Sequence, residues 1–468
     1  MLLRRTLLAG LLVVGSTAAT GVSHAGPAQT PVGPGGRATS NVHLLTNIPT
    51  GTGTGGTFLG STYFITSADT AWFSATGSTV AATGGLLAFD ASKPEQPVPV
   101  GSLPLPHYEN EDLQVSAARK LLVISQDRGR LPDGTRLAGR EYVVDVSVPS
   151  AMRLLSVTPL PATVPTGPDG TALGGPGHTA TLVGHDQYLW VSGSRDRSVW
   201  VVDIRDASAP KVLGSFRTPA GDDLGTWTPG IVHDVDVDQF GDVWVTGSGG
   251  TALYSLTSNP LKPRLIASVS SADNRRLNQF IHHGSQRLDR DHVLVTEEDY
   301  EAGCDSASHQ DGSLSVWRID RAAHRLAPVS QYDVPKGGDN SGLLSGLCSS
   351  HWFSVNGAKV VADAWYGAGV RFLDVSDPRH PRPIGVWAGD STIASQARFV
   401  PGRDDLVYVA DYERGLDVVQ IDKGGRGART VTPADEHPVD RTVRVPGLSM
   451  PVTLHAHEDF GWLCAVPD

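Results

Sequence analysis

Cysteine is scarce in this chain of 468 residues. There are three, Cys304, Cys348 and Cys464, and an odd count leaves one thiol free or paired outside the chain. Charge is thin as well: charged residues make up 19%, below the roughly 25% of an ordinary soluble domain. The net charge is −11 and no Lys/Arg cluster offsets it, which excludes a nucleic-acid partner, since phosphates would be repelled. Beyond the N-terminus no apolar run is long enough to span a bilayer. Gly-x-Ser-x-Gly is missing from any strand-to-helix setting, which excludes an α/β-hydrolase. Gly175-Pro176-Gly177 and Gly247-Ser248-Gly249-Gly250 precede no helix, so neither reads as a phosphate loop.

What is abundant is turn chemistry. Glycine is 53 and proline 32, with 40% hydrophobic residues. That argues against a helical bundle and for many short strands joined by tight turns. At the start, Arg4-Arg5 precede the apolar run Leu7 to Gly15 and a small-residue stretch ending Ser23-His24-Ala25. These are the three regions of a signal peptide, residues 1–25, and the paired arginines leave the twin-arginine route open beside the general one. The mature protein is expected to be secreted to the extracellular space. Residues 26–40 read as a flexible lead-in. Export permits disulfides, and Cys304–Cys348 is the expected pair, because both fall in loops on one face of the repeat array; Cys464 is able to replace either.

Internal repeats decide the architecture. LAFDASKP (Leu87–Pro94), VVDVSVP (Val143–Pro149), VVDIRDASAP (Val201–Pro210), FLDVSDP (Phe372–Pro378) and LDVVQIDK (Leu416–Lys423) recur, with degenerate copies at Leu253–Pro260 and Leu314–Arg321. Alternating apolar residues make each a pleated strand. Asp-x-Ser-x-Pro then turns the chain, with Asp and Ser capping backbone groups. Each unit of about 40 to 55 residues holds four strands, too few to bury both faces of a sheet, so the units must stack and close. The expectation is an all-β, seven-bladed β-propeller over residues 41–423. Its innermost strands begin near Thr57, Glu111, His178, His233, His283, His351 and Gln396. The last unit lacks a fourth strand, and Val42 to Pro49 looks like the orphan that completes it, so the N-terminal strand closes the ring. Residues 424–468 form a tail that adds strands, such as Thr442 to Val445, or wraps the outside.

The repeat resembles the LVIVD-repeat family, and Gly369-Val370-Arg371-Phe372-Leu373-Asp374-Val375-Ser376-Asp377-Pro378 is its best copy. The resemblance covers roughly Gly55 to Ile421 and implies a secreted or surface-exposed propeller. It implies no activity, because propellers serve many functions. The stretch Val235 to Ser271 departs from the pattern at its Asp-Pro turn.

In a propeller, the starts of inner strands and the ends of second strands meet around one opening. Histidine is 16 of 468 residues, yet His178, His233, His283 and His351 open four inner strands. His107 lies just before another, near Glu109 and Glu111, and Gln396 takes the place in the last blade. Converging neutral imidazoles suit a transition metal, copper or zinc, with carboxylates orienting the rings. The same histidines also suit a structural ring that hydrogen-bonds backbone between blades, or a metal-free site. Second-strand ends bring Asp127-Arg128, Arg195-Asp196, Glu297 to Tyr300, Asp363 to Tyr366 and Asp411 to Glu413 to the same mouth. Of these, Glu297, Asp363 and Asp411 occupy matched positions and are the candidate catalytic residues, as metal ligand or as general base on a metal-bound water; the alternative is an aspartate capping the next turn. No EF-hand spacing supports calcium at the acidic run. Cys304 and Cys348 as free thiolate ligands beside His351 are a further reading, and His455-Ala456-His457-Glu458-Asp459 in the tail is either a metal-binding run or a surface loop.

The functional expectation is a monomeric metal-dependent enzyme, oxidoreductase or lyase, acting on a small molecule; copper oxidases and lyases on seven-bladed propellers supply only an analogy of fold. The competing expectation is a non-enzymatic extracellular module that binds protein or glycan.

Overall fold

The computed structural model describes residues 35–439 other than 51–52, 68–84, 106–111, 127–128, 131–135, 138, 162–175, 194–196, 223–229, 271–280, 299–311, 335–347 and 391. Residues 1–25, read above as a signal peptide, His107, Glu109, Glu111, Asp127-Arg128, Arg195-Asp196, Asp299-Tyr300, Cys304, Cys464, the 455–459 run and Thr442–Val445 therefore lie outside the described residues. No described helix is long and apolar enough to cross a membrane.

The strands form antiparallel meanders in which chain neighbours pair. Gly53–Leu59, Thr62–Ser67, Gly85–Asp90 and Val98–Pro104 make the first. Leu113–Ser116, Leu121–Gln126, Arg140–Asp145 and Arg153–Pro159 make the second, and Ala180–Val183, Tyr188–Val191, Ser198–Asp203 and Lys211–Arg217 the third. Two further meanders run from Val232–Val237 to Arg264–Val269 and from Ile281–Arg287 to Arg325–Tyr332; a short parallel pairing, Ser268 with Arg325 and Val269 with Leu326, joins their outer edges. The next runs from Phe353–Val355 to Arg382–Gly389, and the last combines Ala394–Phe399, Leu406–Asp411 and Gly415–Ile421. Its fourth strand is Val42–Ile48, antiparallel to Gly415–Ile421, with Val42 opposite Ile421 and Ile48 opposite Leu416.

The Asp-Ser turns act as the repeat implies. The carboxylates of Asp90, Asp145 and Asp374 each accept from the backbone N–H two residues on, at 2.9, 3.0 and 3.0 Å, which ends the third strand of each meander.

The core lies between sheets. Leu87 and Phe89 pack with Tyr408 and Leu416, joining the first meander to the last. Phe64 and Leu86 pack with Ile124 and Tyr142, Val143 with Leu189 and Val202, Trp190 with Val243 and Val245. Trp244 packs with Val295 and Trp317, Leu314 with Val361 and Trp365, Phe372 with Val407 and Val419. Every sheet is thus covered on both faces by its neighbours, which is why the strands read as near-continuous apolar runs. The first strands of successive meanders touch one another, and Ala394–Phe399 touches Gly53–Leu59. This circular packing is a β-propeller.

The lead-in departs from expectation. Gly36–Thr39, placed within the flexible 26–40 segment by sequence, is a strand between Arg382–Gly389 and Glu436–Val439. The outer edge of Arg382–Gly389 offers unpaired backbone groups, and the lead-in and the tail cover it together. Gly36 is required there: a Cβ would sit 2.4 Å from the Ala388 carbonyl oxygen. Gly36→Val should peel this strand from the sheet at about 1 kcal/mol, the low end for overpacking, because an edge can detach locally. Faster amide exchange confined to 36–39 and 436–439 is the expected sign. Unchanged protection would show that the pairing tolerates the side chain.

Cys348 is buried in the cluster around Trp365 and is disulfide-bonded.

Candidate metal centre

The histidines are aimed by irregularities in the inner strands. In Val232–Val237 the ladder steps from Val232 to Asp234 and skips His233. In Ile281–Arg287 it steps from His282 to Ser285 and skips His283. A bulged residue leaves the pleat and its side chain is redirected. Here both imidazoles are redirected to the same end of the axis. Hydroxyls hold the bulges: Ser192 and Thr246 donate to the carbonyls of His233 and His283. His178 and His351 lie just before Ala180–Val183 and Phe353–Val355, at the equivalent level.

The four rings form a continuous arc. Centroids are 4.4 Å apart from His178 to His233, 4.3 Å from His233 to His283 and 4.0 Å from His283 to His351. All four residues are buried. His178 Nε2 and His233 Nε2 are 3.1 Å apart. Glu298, fully buried, faces the arc: its Oε2 is 3.6 Å from His233 Nε2 and 3.8 Å from His283 Nε2, and its Oε1 is 3.8 Å from His351 Nε2. His233, His283 and Glu298 each offer one donor atom within 4.8 Å of the others. Metal–ligand bonds of about 2.0–2.2 Å place neighbouring donors about 3–3.5 Å apart, so this trio needs only a small contraction to close on an ion.

Second contacts fix the rings. His351 Nδ1 is 2.6 Å from the Ser395 carbonyl oxygen. A carbonyl only accepts, so Nδ1 carries the proton and Nε2 presents its lone pair to the centre. Tyr366 donates its hydroxyl to Glu298 Oε1 and lies over the His351 ring at 4.5 Å. Tyr366 has φ +38°, an unfavourable conformation for a bulky residue, held by paired backbone bonds with Ala394 of 3.0 and 3.1 Å; strain of this kind collects at functional sites. Trp352 packs edge-on against His283 at 4.7 Å.

The predicted carboxylates take three different positions. Glu297 stands opposite His282 in the ladder and is buried, with its backbone N–H on the Ser313 carbonyl at 2.8 Å. The residue facing the imidazoles is the next one, Glu298. Asp363 accepts from the Ser350 hydroxyl at 2.8 Å, beside His351, and burial holds its pKa well above the usual carboxylate range. Asp411 accepts from Thr392 Oγ1 and from the backbone N–H of Ile393, Glu413 and Arg414; it caps a turn, the alternative weighed for it above. Gln396 accepts from Gly56 N–H at 2.8 Å and staples the last sheet to the first. Leu294, Thr296 and Glu298 share one face of their strand, and Leu294 packs toward the sheet that carries His351 and Tyr366.

Further along the inner strands a carboxylate group gathers. Asp112 Oδ2 accepts from Ala180 N–H at 3.2 Å and Asp234 Oδ1 from Thr179 Oγ1 at 2.9 Å, so both flank the same two residues. Asp236 lies two positions beyond Asp234, on the same face of its strand. Burial pushes Asp112 up to about 6 and Asp236, which also feels Asp112, up to about 7, while the Arg398 charge pulls both down.

No family model and no curated protein matches the chain. Among solved structures it is similar to the β-propeller domain of Myceliophteria thermophila Cps50 (Swd1), at 12% identity and TM-score 0.51, over 81% of this chain and 99% of that one. It is also similar to a 6-phosphogluconolactonase, so described without proof of activity, from Bacteroides uniformis, at 8% identity and TM-score 0.51, over 77% of this chain and 94% of that one. These likenesses establish the fold alone.

Proposed function

We propose that this chain is an exported, monomeric, seven-bladed propeller of the LVIVD-repeat type that binds a transition metal, copper or zinc, at the histidine end of its axis. The reaction class we assign is metal-dependent oxidation or elimination on a small molecule. One observation carries the reading: four buried imidazoles from four successive meanders converge with one buried carboxylate. A purely structural ring would place these groups out of water at a desolvation cost that backbone packing does not require. Neutral nitrogen donors with a carboxylate suit copper and zinc, not calcium or magnesium. A bound ion would polarise an oxygen of the substrate or, as copper, accept an electron. The chain's own part is to hold the imidazoles in one tautomer and exclude water. In this reading Cys304 pairs with Cys348 at the same mouth.

Metal analysis tests it. Protein dialysed free of metal and then loaded with Cu²⁺ or Zn²⁺ should retain bound ion through gel filtration. His233→Ala/His283→Ala should lose it while keeping the wild-type far-ultraviolet dichroism. Absence of retained metal after loading with copper, zinc and iron would sink the proposal.

A further inference from the structure

The donor set is longer than one coordination sphere. Ligands of a single ion lie within about 4.2 Å of one another, twice a metal–ligand bond. The compact trio at one end is His233, His283 and Glu298, and His178 stands behind it, its Nε2 hydrogen-bonded to His233 Nε2 at 3.1 Å. The other end is distinct. His351 presents its Nε2 lone pair, because its Nδ1–H is committed to the Ser395 carbonyl. That lone pair faces Glu298 Oε1, not Oε2, at 3.8 Å. A separation of 3.8 Å accommodates a metal ion bonded to both atoms. The Tyr366 phenolic oxygen is against the same Oε1 and supplies a third donor. The two oxygens of Glu298 are thus turned to opposite ends of the arc.

We infer that the centre is dinuclear, with Glu298 bridging one ion held by His233 and His283 to a second held by His351 and Tyr366. This rests on the metal-binding reading above and adds nuclearity to it. The two ions differ in donor character: the first is nitrogen-rich, while the second has one imidazole and oxygens, so the second should bind more weakly and suit a harder ion.

Titration with Co²⁺, read by native mass spectrometry and by electron paramagnetic resonance, tests it. Wild-type protein should take up two ions per chain in two steps, and the signal from the first equivalent should broaden or fall when the second is added, because a carboxylate bridge couples the spins. His351→Ala should take up one ion with an undiminished signal, and Tyr366→Phe should weaken the second step by tenfold or more and spare the first. Saturation of the wild type at one ion, or two ions with additive, uncoupled signals, would overturn the dinuclear centre and leave the metal site standing. No uptake at all would overturn both. Because the decisive reading is on the wild type, a variant that fails to fold does not blur the result.

Discussion

Asp417→Ala should destabilise the protein by about 3–5 kcal/mol, the cost of leaving a buried charge without its partner. Asp417 Oδ2 accepts from Arg414 Nε at 2.8 Å and from Trp387 Nε1 at 3.0 Å. Its Oδ1 accepts from Asn47 Nδ2 at 2.7 Å and from a second Arg414 nitrogen at 3.2 Å. Both side chains of the ion pair are 1% exposed. One carboxylate therefore joins the N-terminal strand, through Asn47, to the last meander and to Trp387 of the one before. Gly389 makes room for the arginine: a Cβ there would lie 2.2 Å from Arg414 Nε. Asp417→Asn should cost less, since the amide oxygen keeps an acceptor for Trp387. The exposed pair Arg429–Asp435, at 68% and 22% side-chain exposure, is the control, and Asp435→Ala, which loses only that pair and a surface turn cap from Thr432, should shift the midpoint far less. Urea midpoints measure all three. Equal shifts for Asp417→Ala and Asp435→Ala would show that the closure does not depend on this pair.

The second large effect is on pH. Asp112 and Asp236 titrate near 6 and 7 in the folded protein and near 3.9 when unfolded. Between about pH 4 and 7 the native state holds protons that the unfolded chain has released, so stability falls as pH rises through that window. Asp236 keeps some contact with water, which screens it. With that allowance the two groups should together lower stability by about 4 kcal/mol from pH 4 to pH 8, with Asp236 contributing about half. Other groups titrate too. Glu413, raised to about 7 by burial and by Asp411, acts in the same direction. His282, lowered to about 3 by burial, acts in the opposite direction below about pH 6.5. The clean measurement is a difference: Asp236→Asn, which can still accept from Val237 N–H through its side-chain oxygen, should gain about 2 kcal/mol on the wild type between pH 4 and pH 8. A stability difference flat across that range would show that Asp236 stays ionised at little cost.

The propeller was legible because its signal repeats. Asp-Ser turns after aliphatic strands recur along the chain, and the orphan Val42–Ile48 matches the strand missing at the other end. The histidines were legible because they share one position in the repeat. The carboxylate was not. Neighbours on a strand face opposite sheets, so an error of one residue moves a carboxyl across the strand, as between Glu297 and Glu298. Sequence gives the alternation but not which parity faces which neighbour. The strand at Gly36–Thr39 was hidden for another reason: it pairs with the edge strand of a distant meander and carries no repeat of its own. The carboxylates Asp112, Asp234 and Asp236 were hidden because they meet only after three inner strands are brought together.

The pairing of Val42–Ile48 with Gly415–Ile421 sets the order in which the molecule is made. The strand that leaves the ribosome near the beginning has no partner until almost the last described strand has been synthesised. At about 5–20 residues per second that is a wait of tens of seconds, during which the apolar residues Val42, Leu44 and Ile48 stay uncovered. Local meanders can form early, since their contacts are near in sequence, but the circle closes late because its joining contact spans nearly the whole chain. Closing so long a loop costs little more than closing a short one, as the penalty grows only with the logarithm of length. The delay is therefore one of timing, and it leaves the ring open until its final strands arrive.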